Sequence, residues 1–216
     1  MEKILIIEDN AAESACAQSE LEKAGFKEVK TVTNLSDGLE TMSQYSAVLS
    51  DLFFPAGNTP TEQYSQRFLP SYEQFKQRRF PKIDKDNPIL RAIDVCAKIF
   101  GMTPQEYVEN VVAKLNTPEL VLKMVRDALA GVENSEKYAK FLEIEEGIRN
   151  GTNLPLGIIA CERAAELGMP AIIVTSTYHH SDAFEPISGL IKVSYCDRLV
   201  DEKKDWKGGI ELLVRR

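Results

Sequence analysis

Lys3-Ile4-Leu5-Ile6-Ile7-Glu8-Asp9-Asn10 is the stretch from which the architecture unfolds. Its apolar run, rich in β-branched residues, suits a strand buried on both faces, as in a parallel sheet covered by helices. The run stops at an acidic pair. Asn10 then supplies a helix N-cap, and residues 11–24 bring Ala12, Cys16, Leu21 and Ala24 near one face, with Gly25 closing the helix. Reading outward, a strand is expected near Val29–Val32, a short helix after Asn34, and a strand over Ala47–Leu52 that carries Asp51. The rhythm is βαβαβ. It resumes after Gly151 with a helix over Leu156–Leu167 closed by Gly168, a second buried strand at Ala171–Val174, a further strand near Leu199-Val200 and a last helix over Trp206–Val214. These pieces predict a doubly wound, five-stranded parallel sheet.

Residues 56–152 break the rhythm. Helix formers dominate and no strand pattern is evident. Thr103-Pro104-Gln105-Glu106 is a capping box with Pro at the first helical position, and Thr117-Pro118-Glu119 repeats the Thr-Pro start. Asn87-Pro88 opens a third helix with Ile89, Ile93, Cys96 and Phe100 as one apolar stripe. A fourth, from about Glu133 to Arg149, is expected to bury Tyr138, Phe141, Leu142 and Ile148. The domain reading is therefore an α/β domain in two pieces, 1–55 and 153–216, interrupted by an all-α helical bundle at 56–152.

The chain has 216 residues, 26 Lys plus Arg against 33 Asp plus Glu, and a net charge of −7. At roughly 150 residues per domain this is one large domain, or one domain carrying another. Negative charge without a long basic run argues against direct nucleic-acid binding. No apolar run approaches the roughly 18 residues a membrane span needs. The opening four apolar residues are too few for a signal peptide, so a cytoplasmic protein without membrane attachment is expected. Cys16, Cys96, Cys161 and Cys196 lie far apart and read as buried thiols rather than zinc ligands or disulfides.

Open α/β sheets place their sites where the carboxyl ends of the strands emerge. Glu8-Asp9, Asp51 and Thr175-Ser176 stand at three such ends. Carboxylates gathered within about 5 Å repel by roughly 3 kcal/mol per pair at an effective dielectric near 20, so a cluster of three needs a cation. An all-oxygen set with open positions suits Mg²⁺, which favours one or two carboxylates together with phosphate oxygens. A metal of that kind beside a carboxylate nucleophile, a hydroxyl and a Lys ammonium is equipment for phosphorylating an aspartate.

The chain resembles the receiver (CheY-like) domain of two-component response regulators. Lys3 to Asn10 is similar to that family's first strand and acidic pair. Ser50-Asp51-Leu52-Phe53-Phe54-Pro55 is similar to its phosphoacceptor motif, with Pro four residues after Asp. Ala171-Ile172-Ile173-Val174-Thr175-Ser176 is similar to its fourth strand and hydroxyl residue. The resemblance implies a flavodoxin-like, receiver-type fold, with Glu8, Asp9, Asp51 and the Phe53 carbonyl as Mg²⁺ ligands. It implies Asp51 as phosphoacceptor, Thr175 as the hydroxyl that bonds the phosphoryl oxygen, and a histidine kinase or phosphotransfer protein as donor. Such a module signals by association with an output protein and is not a turnover enzyme, apart from self-phosphorylation by small donors and autodephosphorylation.

The family's Lys-Pro after the fifth strand is missing. Lys204, followed by Asp205-Trp206 and a helix, is chosen as the active-site Lys, with Lys192 in Gly189-Leu190-Ile191-Lys192-Val193 as competitor. Thr177–Tyr195 shows no clean fourth helix, and the helical insertion directly after Pro55 is a second departure. The insertion is expected to act as a lid or partner-docking element that responds to charge at Asp51.

Two other readings stay open. One is a pseudo-receiver, a binding scaffold without phosphorylation. The other is a haloacid-dehalogenase-like phosphatase with a helical cap, using Asp51, Thr175 and the Asp197-Asp201 pair; against it, Phe53 stands where that family needs an acid/base Asp. His179-His180 reads as a solvated loop, Lys76–Arg79 as a solvated helix face, and Tyr64, Phe68, Tyr72 and Phe75 as core, with Pro70 interrupting their helix.

Overall fold

A computed structural model describes residues 3–79, 88–114 and 137–215. The chain divides into two compact units, Met1–Phe75 with Ile144–Arg216, and Lys76–Glu143. In the first unit β1 (Lys3–Ile7) leads to α1 (Ala11–Lys23), β2 (Glu28–Val32), α2 (Leu35–Thr41) and β3 (Ala47–Ser50). α3 (Glu62–Arg79) begins in this unit and runs into the second, which holds α4 (Pro88–Ile99) and α5 (Pro104–Asn110). Helical residues 137–149 form α6. The first unit then continues with α7 (Leu156–Glu166), β4 (Ala171–Val174), β5 (Ser194–Cys196), β6 (Leu199–Val200), β7 (Lys203–Lys204) and α8 (Trp206–Val214).

The sheet is five-stranded and parallel in the order β2-β1-β3-β4-β5. The chain leaves β1 toward β2 on one side and resumes at β3 on the other, so the strand order reverses between β1 and β3. In a doubly wound sheet that is the crevice where a ligand sits. Ile4, Ile6, Ala47, Leu49, Ile172 and Val174 point toward Ala17 and Leu21 of α1 and toward Trp206, Ile210 and Leu213 of α8. Each Ile, Leu or Val among them contributes roughly 1.5–3 kcal/mol when fully buried. Alternation sends Ile7 to the opposite face, where a Cβ on Gly38 of α2 would meet it at 2.8 Å.

Local signals account for several boundaries. The Asn10 side chain accepts from the Ala12 and Glu13 amides, Asn34 caps α2, and Gly25 and Gly168 take positive φ just past α1 and α7. Within α1 the buried positions are Ala17 and Leu21, while Ala12 and Ala24 are exposed and Cys16 is half-buried. Cys96 is also only half-buried, unlike Cys161 and Cys196.

The strand expected at Leu199-Val200 does not belong to the sheet. Ser194–Cys196 completes the sheet, and Leu199–Val200 pairs antiparallel with Lys203–Lys204 as a separate hairpin. Its turn residues, Asp201 and Glu202, both have positive φ, 51° and 64°. β5 carries no strand signal in the sequence because it is a half-covered edge strand without an apolar run. Between β4 and β5 a 3-10 helix, Glu185–Leu190, stands in place of an α-helix.

α3 continues through Pro70, contrary to expectation. Proline removes one backbone donor and crowds the preceding turn. Phe68, Tyr72 and Phe75 are nevertheless buried on either side of it, and Tyr64 is half-buried. Arg67 pairs with Glu162 of α7 at 2.5 and 2.6 Å, and the Tyr72 hydroxyl donates to the Ala183 carbonyl at 2.6 Å. Burial pushes the Tyr72 hydroxyl's pKa above its ordinary value.

In the second unit the Thr103 capping box forms as expected, and Ile93 packs with Val108. Phe100 lies beyond the end of α4, 57% exposed and stacked on Tyr107, so it is not part of a buried stripe. In α6, Phe141 and Ile148 are buried, Tyr138 is half-buried and Leu142 is exposed. The Thr117-Pro118-Glu119 start, Asn87, the Ile89 side chain and the start of the fourth insertion helix lie outside the described residues. No helix among the described residues is long and apolar enough to cross a membrane.

Candidate functional site

Ile7 and Ser50 are register partners at the ends of β1 and β3, and the Asp51 amide donates to the Ile7 carbonyl at 2.9 Å. Adjacent strands are about 4.8 Å apart. Glu8 and Asp51 therefore emerge side by side at the point where the strand order reverses. Glu8, Asp9 and Asp51 each offer a carboxylate oxygen, and the three oxygens lie within 4.8 Å of one another. Glu8 and Asp51 are buried, 1% and 7% exposed, whereas Asp9 is open to solvent.

Lys204 reaches the same place from the hairpin. Its Nζ lies 2.5 Å from Glu8 Oε2 and 2.9 Å from Asp51 Oδ2, and the residue is 7% exposed. Each buried carboxylate turns its other oxygen to a backbone amide. Glu8 Oε1 accepts from Asn10 N–H at 3.0 Å, and Asp51 Oδ1 accepts from Leu52 N–H at 2.7 Å. The competing Lys192 lies ahead of β5, at the opposite end of the strand from Asp197, and its Nζ donates to the Gly189 carbonyl at 2.9 Å.

One ammonium among three carboxylates leaves two negative charges uncompensated, and the ionisation of the cluster reflects it. Burial first, and the neighbouring Asp51 second, push Glu8 up to about 7 despite Lys204. Burial also raises Asp51, with Lys204 opposing and Asp9 adding to the rise. For Lys204 burial acts downward, but Asp51 and Glu8 together outweigh it and its pKa stands above the ordinary lysine value. An all-oxygen donor set, an excess of negative charge and one exposed member fit a hard divalent cation. The cluster Glu8, Asp9, Asp51 can hold such an ion.

Thr175 follows β4 directly and is 1% exposed. Its amide donates to the Cys196 carbonyl at 2.9 Å, and its hydroxyl accepts from Thr177 N–H at 3.1 Å. Phe53 lies two residues beyond Asp51, half-buried in the loop before α3. That loop is pressed from below by α7. A Cβ on Gly157 would stand 2.1 Å from the Asp51 carbonyl oxygen and 2.9 Å from Leu52 Cα, and the Gly157 amide donates to the Leu52 carbonyl at 3.0 Å. Only glycine permits this approach behind Asp51.

Two features were not legible in the sequence. His179 is not a free loop residue: its Nδ1 lies 2.5 Å from Asp197 Oδ2, and its amide donates to the same oxygen at 2.9 Å. Glu13, in the first turn of α1, bonds both Lys204 and Trp206 across nearly the whole chain. The only advance sign for Glu13 was an acidic residue one position after Ala12 on a helix that begins beside the acidic pair.

Searches against family models, curated proteins and solved structures return no match for this chain. The likeness therefore rests on architecture and site: a five-stranded parallel sheet in the order 2-1-3-4-5 with an acidic cluster at the ends of β1 and β3, consistent with a flavodoxin-like, receiver-type fold.

Proposed function

We propose that this protein is a phosphoacceptor module of the receiver kind, switched by Mg²⁺-dependent phosphorylation of Asp51. The observation that carries the reading is the meeting of Glu8, Asp9 and Asp51 within 4.8 Å, with the Lys204 ammonium on two of them. Glu8, Asp9 and Asp51, with the Phe53 carbonyl as a further donor, would hold Mg²⁺, which when bound would supply charge neutralisation at the cluster and polarisation of phosphoryl oxygens.

The chain's own groups supply the rest. An Asp51 carboxylate oxygen attacks phosphorus and the new O–P bond forms as the donor bond breaks. With acetyl phosphate an O–P bond breaks and acetate departs with the electron pair; with a phosphohistidine donor an N–P bond breaks and the imidazole departs with it. The Lys204 ammonium faces the charge that builds on the transferring group, and the Thr175 hydroxyl, which accepts from Thr177 N–H, keeps its own O–H as the candidate donor to a phosphoryl oxygen. The buried setting of Asp51 protects the acyl phosphate from water. Phe53 carries no group able to shuttle a proton, which favours a lasting phosphoaspartate over rapid hydrolysis.

Within this reading a histidine kinase or phosphotransfer protein supplies the phosphoryl group, and output is by association with a partner, with the insertion as the docking element. Intact mass after incubation with acetyl phosphate and Mg²⁺ tests it. One added phosphate in the wild type and none in Asp51→Asn is the expected result. Fast hydrolysis of a generic phosphomonoester, abolished by Asp51→Asn, would instead indicate a phosphatase, and absence of both would leave a pseudo-receiver scaffold.

A further inference from the structure

A two-stranded hairpin with two residues in each strand does not hold its own position in water. β6 and β7 form such a hairpin, their turn uses two non-glycine residues at positive φ, and Leu199 and Val200 are exposed. Lys204, the last residue of β7, is nonetheless placed within hydrogen-bonding distance of two separate carboxylates. Its precision must come from outside the hairpin.

Glu13 spans the gap. Its Oε1 accepts from the Lys204 backbone N–H at 3.3 Å, and its Oε2 accepts from the Trp206 indole N–H at 2.8 Å. Between these two residues Asp205 caps α8 through the Gly208 amide, and its own amide donates to the Arg198 carbonyl. Trp206 is fully buried in the core beneath α1, and its ring centre lies 5.8 Å from Lys204 Nζ. The hinge between β7 and α8 is thus gripped on both sides by one carboxylate.

We infer that Glu13 is the positioning residue for Lys204, clamping a hairpin-borne lysine to the segment, residues 8–13, that also carries Glu8 and Asp9. The inference rests on the reading of Lys204 as the ammonium that faces the transferring phosphoryl group. One short stretch of chain thus supplies two acids of the cluster and the clamp on the lysine-bearing hairpin.

The test compares the full chain with Glu13→Gln and Glu13→Ala by two measurements. The first is the ¹H–¹⁵N signal of the Lys204 ammonium, which a buried, ion-paired group shows because its protons exchange slowly; Lys204→Arg assigns it. The second is the initial rate of Asp51 labelling by acetyl phosphate at saturating Mg²⁺. Glu13→Ala is expected to lose the signal and to label about ten- to a hundredfold more slowly, the scale of a reacting group misplaced by about an ångström. Glu13→Gln, which keeps one acceptor oxygen, is expected to fall between it and the wild type on both readouts. An alanine variant with lowered melting temperature but wild-type signal and rate would overturn the inference, since Glu13 would then serve the fold alone. Should the alanine chain not fold, the glutamine variant decides, and wild-type values for both readouts would overturn the inference. If the wild type takes no phosphate, the acceptor reading fails and the ammonium signal alone decides whether Glu13 positions Lys204.

Discussion

Lowering the pH from 8 to 6 should weaken binding of Mg²⁺ to the acidic cluster about tenfold through Glu8 alone, with the raised Asp51 acting in the same direction. Glu8 stands at about 7 without metal, because burial and Asp51 outweigh the help of Lys204. Mg²⁺ takes the ionised form, so the proton and the metal compete for it. With a pKa of 7, the fraction of Glu8 available falls from about nine-tenths at pH 8 to about one-tenth at pH 6, equivalent to about 1.4 kcal/mol of binding free energy. A Glu8 at the ordinary 4.5 would change the affinity by only a few per cent over that range.

Trp206, the one tryptophan of the chain, has its ring 5.8 Å from Lys204 Nζ and offers a fluorescence signal for the titration. Calorimetry in buffers of different ionisation enthalpy would count the released proton, close to one at pH 6 and near zero at pH 8.5. The same shift has a consequence for folding with the opposite slope. The native state keeps the proton up to about 7 while the unfolded chain releases it near 4.5, so metal-free stability is greatest below 4.5 and declines as the pH rises through 7. The loss is about 3 kcal/mol, and it is recovered on adding Mg²⁺. An affinity independent of pH between 6 and 8, or pH-dependent binding that persists unchanged in Glu8→Gln, would refute the reasoning.

Asp51→Asn should abolish tight Mg²⁺ binding and yet raise metal-free stability at pH 7.5 by about 1–2 kcal/mol, because it removes a buried charge while Lys204 keeps Glu8 as partner; thermal unfolding in EDTA checks the sign. Gly157→Ala should cost about 1–3 kcal/mol in urea denaturation, since its Cβ would press on Asp51 and Leu52 backbone atoms that cannot swing aside. It should also slow labelling of Asp51 by acetyl phosphate, by displacing that residue.

The parts of the fold visible in the sequence are those in which one local signal suffices. Ile4–Ile7 and Ala171–Val174 are fully buried strands, and unbroken apolar runs announce them. Asn10, Asn34 and the Thr103 box fix helix starts through bonds to amides two or three residues away. The acidic cluster was legible for a related reason: its members follow strand ends, and parallel strand ends share an edge. The rest depends on long-range partners. β5 is an edge strand, half-buried, exposed and buried in turn, whose identity comes from its pairing with β4. The β6–β7 hairpin turns on Asp201 and Glu202, without the Asn-Gly or Asp-Gly pair that marks such turns. Pro70 is accommodated by anchors on both sides that periodicity alone does not weigh. The role of His179 depends on Asp197, eighteen residues further on, and that of Glu13 on a junction at the other end of the chain.

The hydrogen bond from Tyr72 to Ala183 gives the root of the long insertion a second use. Ala183 belongs to the stretch that trails Thr175, and Tyr72 sits in the helix through which the chain departs toward the second unit. With Arg67 fastened to Glu162 one turn earlier, that helix is sewn to the sheet domain at two stitches, one on a helix and one on a loop. Both stitches lie within the first unit, so the opening turns of this helix are bound to the sheet domain on two sides, and the loop after Thr175 cannot be displaced without breaking or carrying the Tyr72 bond.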